Sequence, residues 1–210
     1  MRVTEIFFSI QGEGTRAGLP CAFVRFTGCD LRCVYCDTAY AFHGGKEMTQ
    51  EAILAELARF PCKLVLLTGG EPLLQRELPA LARRLLAGGY EVLVETHGQR
   101  PLDGLPEGVV RIVDVKTPDS GEVATELGYL DRLAARDEVK FVVSSQADFA
   151  WSREVVRRHA LEGRVQVLFS PVWGKVEPRD LAAWILSSGL DARLSLQIHK
   201  VIWGSEARGV

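Results

Sequence analysis

The sequence predicts an α/β fold, in which residues 1–210 form a single domain with the architecture of an incomplete, TIM-like (β/α)6 barrel with some helices abbreviated. Three observations lead to this prediction. Short apolar runs alternate with helical patterns along the whole chain, which is typical of a parallel sheet. Most of these runs are almost continuously apolar, as expected for strands that are buried on both faces. Polar motifs follow directly after the strands, where the active sites of such barrels lie.

Eight apolar runs are predicted to be strands, and their spacing leaves room for a crossover between most neighbours. The predicted strands are residues 4–8, 22–26, 63–67, 91–95, 109–115, 139–143, 164–169 and 193–197.

Four segments show the periodicity of amphipathic helices, namely 49–59, 78–86, 149–159 and 179–188. Thr49 is the expected N-cap of the first, and Gly88 and Gly89 are expected to stop the second. Pro178 opens the fourth helix and Gly189 closes it. Residues 98–109 contain two prolines and two further glycines after Gly98, so that crossover is predicted to lack a long helix.

Composition and net charge limit the classes of protein to which this chain can belong. A chain of 210 residues with 47% hydrophobic residues can build one substantial core. Its net charge of -2 argues against a constitutive nucleic-acid binder, so a small molecule is the expected partner. The sequence has no apolar run of about 18 residues and no secretory layout at its start. We therefore expect no membrane partner and a cytoplasmic location.

Three of the five cysteines, Cys29, Cys33 and Cys36, lie within eight residues in the spacing C-x3-C-x2-C. Three thiolates can hold a 4Fe-4S cluster and leave one iron open to a ligand, whereas a structural zinc site takes four protein ligands. The pattern favours the cluster. A zinc site completed by His43 or Cys21 is the alternative. Otherwise Cys21 and Cys62 are expected to be buried, inert thiols.

Gly69, Gly70 and Glu71 follow a predicted strand directly. Glycines there allow the backbone to approach a ligand, and exposed amides or the Glu71 carboxylate could bind an amine. An ordinary tight turn would need the same glycines. No G-x-G-x-x-G phosphate fingerprint occurs, which disfavours a nicotinamide-binding fold.

Further polar residues sit between or within strands. The segment Gln11-Gly12-Glu13-Gly14 is either a hairpin or part of a recognition site. Arg25 lies inside an apolar strand, and an anionic substrate is its expected partner because a buried arginine needs one. Strand alternation predicts Gln197 and His199 on one face of the last strand, although a solvated strand end remains open. His97 has either a structural or a functional role.

These motifs together resemble the 7-carboxy-7-deazaguanine synthase family of radical S-adenosylmethionine enzymes, and the resemblance spans nearly the whole chain. The cysteine loop and the glycine turn are shared across the superfamily. The features that narrow the resemblance to this family are Gln11-Gly12-Glu13-Gly14, Asp37-Thr38 and Gln197-x-His199-Lys200.

The resemblance implies an activity and its cofactors. The enzyme would be a lyase that converts 6-carboxy-5,6,7,8-tetrahydropterin to 7-carboxy-7-deazaguanine with release of ammonia, a step toward queuosine. A 4Fe-4S cluster on three cysteines, S-adenosylmethionine and Mg2+ are the implied cofactors. A flavodoxin-like protein would donate the electron, and the enzyme would be a homodimer.

The resemblance also implies roles for individual residues. Cys29, Cys33 and Cys36 would hold the cluster, and Thr38 would bind Mg2+. The implied contacts of S-adenosylmethionine are Tyr35, Cys36, Asp37, Gly70, Glu71, Asp114, Val115, Lys116, Ser170, Pro171, Val172 and Trp173. The implied contacts of the substrate are Ile10, Gln11, Gly12, Glu13, Arg25, Thr68, His199 and the terminal carboxylate of Val210.

Two other functions share part of this pattern. An activase of glycyl-radical enzymes would have the same cysteine loop and glycine turn but would act on a protein backbone. A non-catalytic metal-binding protein would cleave no S-adenosylmethionine after anaerobic reduction.

Overall fold

A computed structural model describes residues 1–210 and contains one nine-stranded sheet in the order β3-β1-β2-β4-β5-β6-β7-β8-β9. The strands are β1 (Arg2–Ile10), β2 (Pro20–Phe26), β3 (Lys46–Glu47), β4 (Leu64–Gly69), β5 (Glu91–Thr96), β6 (Val110–Asp114), β7 (Glu138–Val143), β8 (Gln166–Pro171) and β9 (Arg193–Leu194). The helices are α1 (Gln50–Leu57), α2 (Leu78–Ala87), α3 (Gln146–Arg158), α4 (Pro178–Ser188) and α5 (Ile198–Trp203).

None of the five helices has the length and apolar character that crossing a membrane requires.

The parallel part of the sheet runs from β2 to β9, with six full strands and the two-residue β9 at one edge. Because the strand order has two free ends, the barrel is open, and the predicted incomplete (β/α)6 barrel is confirmed. β1 is antiparallel to β2 and to the short β3, so the sheet is mixed rather than wholly parallel.

Alternate residues of the strands face opposite sides of the sheet, as the two-residue period of a strand requires. On the outer face, Val24, Leu67 and Val94 pack with Ile53 of α1 and Leu81 of α2 in one apolar cluster. The inner face carries a smaller apolar cluster of seven buried residues: Cys21, Phe23, Leu64, Leu66, Leu93, Val110 and Ile112. The helices therefore cover the outside, and the inside remains available for a cavity.

Four crossovers contain the helices that the periodicity predicts. Thr49 caps α1, where its side chain accepts a hydrogen bond from the backbone N–H of Ala52 at 3.2 Å. The glycine-rich crossover 98–109 has no helix, as predicted. The crossover from β6 to β7 also lacks an α-helix and contains only two short 3-10 turns, so two crossovers are abbreviated rather than one.

The last predicted strand differs from the structure. β9 covers only residues 193–194, and Gln197 and His199 belong to the start of α5 instead. The alternation argument that placed both side chains on one strand face is therefore wrong. β9 pairs with a single neighbour, and after Ser195 the chain turns so that the backbone N–H of Ile198 donates to the Gly12 carbonyl at 3.1 Å.

Candidate active site

A cavity of about 530 Å³ opens at the carboxyl ends of the parallel strands, as predicted for this fold. Its walls come from β1 and β2, from the segments that follow β4 to β8, and from the C-terminal residues 205–210. The guanidinium of Arg208 lies over the Tyr40 ring, 4.2 Å from its centroid. The C-terminal segment therefore covers one side of the cavity mouth, and Val210 is part of the lining.

The cysteine loop forms one end of this cavity. Cys29, Cys33 and Cys36 all line it, and their thiols are free and partly exposed. The backbone N–H of Cys36 donates to the Cys33 carbonyl at 3.2 Å, and the N–H of Leu31 donates to the Cys29 Sγ at 3.4 Å. The N–H of Val34 donates to the carbonyl of Ser120 at 2.9 Å, which holds the loop against the crossover after β6.

These thiols fit a 4Fe-4S cluster better than they fit zinc. No set of three His, Cys, Asp or Glu side chains is grouped to hold a single ion. Cys21 lies at the opposite end of β2 from the loop, roughly 17 Å along a strand of 3.3 Å per residue. His43 is exposed and lies outside the cavity lining. The zinc site completed by Cys21 or His43 is therefore wrong, whereas three free thiols with an N–H···S hydrogen bond suit an iron-sulfur cluster.

The two remaining cysteines are not ligands. Burial raises the pKa of the Cys21 thiol to about 12, which fits the predicted inert thiol. Cys62 is only partly buried, and burial raises the pKa of its thiol as well.

Gly70 allows the turn after β4 to approach the cysteine loop. A Cβ atom on residue 70 would overlap the Gly28 carbonyl and would lie 2.8 Å from the Cβ of Cys29. The backbone N–H of Glu71 donates to the same Gly28 carbonyl at 2.8 Å. The glycine turn and the cysteine loop are thus in direct contact, which explains why the chain needs a residue without a side chain there.

The Glu71 carboxylate is fully buried and does not line the cavity. It accepts hydrogen bonds from the Thr96 hydroxyl at 2.9 Å, from the backbone N–H of His97 at 3.0 Å and from that of Leu73 at 2.9 Å. The structure therefore does not bring the Glu71 carboxylate to the cavity wall, where the prediction placed it beside a cosubstrate amine. This carboxylate joins the ends of β4 and β5 instead.

His97 lines the cavity and links two segments of its wall. Its Nε2 atom lies 3.0 Å from Oδ1 of Asp30, which follows the first cysteine of the loop, and 3.2 Å from Oε2 of Glu71. Arg100 also binds Asp30, with Nε 2.9 Å from Oδ2. His97 therefore links the cysteine loop to the end of β5, which is the structural role that the sequence allowed.

The segment Gln11-Gly12-Glu13-Gly14 is a hairpin connection and also part of the cavity wall. β1 and β2 are antiparallel, so the segment belongs to a hairpin connection, whose ends are tied by the N–H of Gln11 and the carbonyl of Leu19 at 2.8 Å. All four residues also line the cavity, with Ile10 before them. A Cβ on Gly12 would overlap Nδ1 of His199, so this connection packs directly on α5.

Two residues of the Gln197-x-His199-Lys200 motif bind carboxylates that line the cavity. Nε2 of Gln197 donates to Oε1 of Glu13 at 2.8 Å, and Nζ of Lys200 lies 2.6 Å from Oδ2 of Asp37. Burial alone would raise the pKa of the Asp37 carboxyl, but the charge of Lys200 holds it well below its usual range. Asp37, predicted to contact the cosubstrate, therefore lines the cavity with its carboxylate already paired.

Lys140 is a charged residue of the cavity wall that the sequence analysis did not identify. It lies in β7, is 4% exposed and points into the cavity. Nζ of Lys140 lies 3.0 Å from Oε2 of Glu13, hydrogen-bonds to Oε1 of Glu95 and lies 3.7 Å from Oδ2 of Asp114. A lysine inside an apolar strand was the available signal, as it was for Arg25.

Arg25 lines the cavity but already has a partner within the protein. Its Nε atom donates to Oε1 of Glu5 at 2.7 Å, and the Tyr40 hydroxyl donates to the same oxygen at 2.8 Å. The β1–β2 register places Glu5 opposite Arg25. The guanidinium also lies 5.8 Å from the centroid of Phe7, which stacks on Phe23 at 4.6 Å. An anion would therefore join an existing ion pair rather than meet a lone cation.

Most predicted contact residues line the cavity, including Tyr35, Thr38, Thr68, Asp114, Lys116, Val172 and Trp173. Three others are buried and do not line it: Val115, Ser170 and Pro171. The contacts of these three residues with S-adenosylmethionine therefore remain a prediction. Strand alternation accounts for Val115, which packs in the outer core beside Asp114 and Lys116, whose side chains face the cavity.

Comparison with known proteins agrees with this site. The profile described as "Radical SAM superfamily" matches residues 23–158, a span that contains the cysteine loop and the glycine turn. A protein of Koribacter versatilis named 7-carboxy-7-deazaguanine synthase is 49% identical over 100% of both chains. One of the same name from Chlorobaculum tepidum is 42% identical and covers 100% of this chain and 97% of its own.

A solved structure supports the fold. The crystal structure of QueE from Escherichia coli superposes with a TM-score of 0.77 at 24% identity and covers 93% of each chain. The chain therefore belongs to the 7-carboxy-7-deazaguanine synthase family of the radical S-adenosylmethionine superfamily, whose cofactors are a 4Fe-4S cluster on three cysteines and S-adenosylmethionine.

Proposed function

We propose that this chain is a lyase that converts 6-carboxy-5,6,7,8-tetrahydropterin to 7-carboxy-7-deazaguanine with release of ammonia, a step toward queuosine. The observation that carries the proposal is one cavity whose lining combines three free thiols at one end with cationic and carboxylate groups on its other walls. Full-length identity of 49% to a named 7-carboxy-7-deazaguanine synthase supports the same reaction.

Cys29, Cys33 and Cys36 would hold the cluster. When bound and reduced, it would supply the electron for reductive cleavage of S-adenosylmethionine. Gly70 brings the turn after β4 against the cysteine loop and leaves room for the cosubstrate beside it. Tyr35, Asp37, Asp114, Lys116, Val172 and Trp173 supply further lining at this end.

The substrate occupies the part of the cavity between the hairpin connection and the strand ends. Arg25, kept in place by Glu5, faces the substrate carboxylate. Ile10, Gln11, Gly12, Glu13, Thr68 and His199 surround the ring system, and the terminal carboxylate of Val210 completes the wall. Two stacked aromatic rings on the inner face, the partly buried Phe7 and the buried Phe23, exclude water from this part of the cavity.

Three further parts of the proposal concern Mg2+, the redox partner and assembly. Thr38 lines the cavity beside Asp37, and its hydroxyl supports a role as one of several oxygen ligands of Mg2+. A flavodoxin-like donor supplies the electron. The chain forms a homodimer, and the exposed Val201, Ile202 and Trp203 of α5 supply apolar surface for a protein contact.

Residues 1–210 act as one domain, and a loop of three cysteines outside any disulfide supports a cytoplasmic location, where thiols stay reduced.

One assay tests the reaction. Anaerobically reconstituted protein receives dithionite, S-adenosylmethionine, Mg2+ and the carboxypterin, and mass spectrometry follows 7-carboxy-7-deazaguanine. We expect product only when all components are present. S-adenosylmethionine cleavage without deazapurine, from protein with an intact cluster, would reject the substrate and favour an activase. No cleavage at all from such protein would reject a radical enzyme.

A further inference from the structure

Lys140 is the most deeply buried cation of the cavity and has no role in the proposed chemistry so far. It stands in the middle of β7 and is 4% exposed. Three carboxylates from three other segments converge on it: Glu13 from the hairpin connection, Glu95 from β5 and Asp114 from β6. Such an arrangement is costly to bury unless its charges are paired, so its geometry is strongly constrained.

The three carboxylates do not share Lys140 equally. Asp114 has a closer cation, because Nζ of Lys116 lies 2.8 Å from its Oδ2 atom, whereas Lys140 lies 3.7 Å away. Neither Glu13 nor Glu95 has another cation within 4.0 Å. Lys140 is therefore the charge that holds these two glutamates in place.

Both glutamates retain capacity to accept hydrogen bonds from a ligand. Oε1 of Glu13 accepts one from Gln197 at 2.8 Å, and Oε2 of Glu95 accepts one from Thr68 at 3.3 Å. A carboxylate has about four lone-pair sites, so each glutamate still has free sites after these contacts. Both side chains line the cavity.

We infer that Lys140 is a positioning residue, which keeps Glu13 ionised and holds it adjacent to Glu95 as one acceptor wall for the N–H groups of the bound heterocycle. The inference rests on the proposed function, because a tetrahydropterin presents N–H donors around both of its rings. A protonated glutamate would turn an O–H donor toward those N–H groups and would lose acceptor sites.

The electrostatics agree with this geometry. Burial tends to raise the pKa of the Glu13 carboxyl, but the charge of Lys140 and the hydrogen bond from Gln197 bring it below its usual value of 4.5. Lys140 keeps its own proton, since its pKa lies well above 10.5 despite burial, owing to Glu13, Glu95 and Asp114. The other charged or titratable groups around this cluster are Asp37, Lys116, His199 and Lys200.

The first arm of the test measures substrate affinity against pH. Lys140→Met and the parent are compared as anaerobically reconstituted holoenzymes, and calorimetry gives the Kd for the carboxypterin from pH 6.5 to 9. Without Lys140, burial raises the pKa of Glu13, so the variant binds roughly 10- to 100-fold more weakly at pH 6.5 and recovers part of the loss toward pH 9. The parent curve corrects for titration of the ligand itself.

A matched variant separates positioning from stability. Arg111→Met removes the cation beside Asp137, a fully buried carboxylate outside the cavity lining, whose Oδ2 lies 2.5 Å from Nη2 of Arg111. We expect this variant to lose stability and to keep the parent's Kd and pH dependence. Equal Kd values for Lys140→Met and the parent across the pH range would overturn the inference, as would a pH-independent loss of the same size in both variants.

The second arm needs neither the pterin nor a variant of Lys140. In carboxyl-13C-labelled parent holoenzyme, the Glu13 resonance, assigned with Glu13→Gln, stays that of an ionised carboxylate from pH 9 to pH 5. Titration of Glu13 within that range in the parent would overturn the inference. Should the parent fail to bind the carboxypterin, the proposed substrate is rejected, and the Glu13 titration still decides the role of Lys140.

If Lys140→Met does not fold, the double variant Lys140→Met with Glu95→Gln replaces it, because it removes one charge of each sign. We expect this double variant to fold, to bind the carboxypterin more weakly than the parent and to show titration of Glu13 between pH 5 and 9. Parent-like affinity in a folded double variant would overturn the inference.

Discussion

Gly12 and His199, 187 positions apart, are packed so closely that a Cβ on residue 12 would overlap the Nδ1 atom of the imidazole. The backbone supports the same contact, because the N–H of Ile198 donates to the Gly12 carbonyl at 3.1 Å. The hairpin connection after β1 and the helix α5 therefore form one wall of the cavity, although they come from opposite ends of the chain.

The first prediction follows from this contact. Gly12→Ala should displace His199 and weaken carboxypterin binding roughly tenfold, while the cluster content stays that of the parent. Calorimetry on reconstituted protein measures the Kd, and iron analysis measures the cluster. Gly128→Ala is the matched control, because a Cβ there meets no atom within 4 Å. Parent-like affinity in Gly12→Ala would show that α5 adjusts without cost.

The second prediction concerns the contact between the glycine turn and the cysteine loop. Gly70→Ala places a methyl group against Gly28 and Cys29, so the loop must shift and the three thiols lose their relative positions. We expect a folded protein that binds far less iron and sulfide after reconstitution. Gly104→Ala, where the nearest atom is 3.6 Å away, should reconstitute as the parent does. A full complement of iron in Gly70→Ala would contradict this account of the turn.

The third prediction concerns Arg25. Arg25→Met should weaken carboxypterin binding roughly 10- to 100-fold, because a charge-assisted hydrogen bond to the substrate carboxylate is lost and Glu5 is left facing that anion. Cluster assembly should change little. Arg16→Met provides a control, since Arg16 is also partly buried and pairs with Glu91 and Glu138 outside the cavity lining. Equal losses of affinity in both variants would argue against a direct role.

The fourth prediction tests the correction for Glu71. Glu71→Gln replaces one carboxylate oxygen by an N–H donor among groups that themselves donate, so it should lower the free energy of unfolding by about 1–3 kcal/mol. Urea denaturation of the metal-free protein measures this change. Glu107→Gln, at a residue whose side chain is 93% exposed, should have little effect. An unchanged unfolding free energy together with weaker S-adenosylmethionine binding would restore Glu71 as a ligand contact.

The fifth prediction is acid sensitivity. The pKa of Asp37 is lowered in the folded protein by Lys200, so the folded state binds this proton less readily than the unfolded state does. The resulting stabilisation is complete above the unfolded pKa, near 3.8, and is lost as the pH falls through the lower folded pKa.

Lys200→Met should therefore reduce the unfolding free energy at pH 7 and flatten its decline at acid pH. The change should be no more than about 1 kcal/mol, because the Asp37 side chain is 45% exposed. Urea denaturation at pH 7, 5, 4 and 3 measures it. Parallel stability curves for parent and variant would contradict the assignment of Lys200 as the cause.

Local sequence patterns predicted much of the fold and part of the candidate site. Apolar runs predicted the six parallel strands, because a strand that is buried on both faces is apolar throughout. Helical periodicity predicted four of the helices, because a helix that is buried on one face has apolar residues every three or four positions. The cysteine spacing predicted the cluster loop, because all three ligands lie within eight residues. Arg25 and the rim motifs were identifiable because a polar residue stands out within or directly after an apolar strand.

The tertiary structure decided everything that depends on which distant segments meet. The antiparallel register places Glu5 opposite Arg25, and the packing of α5 brings Gln197 to Glu13. The convergence of four segments makes Lys140 the centre of a charge cluster, and the contact of β4 with β5 turns Glu71 away from the cavity. These pairings arise from strand register and loop packing, whose energies depend on residues far apart in sequence, so no local pattern encodes them.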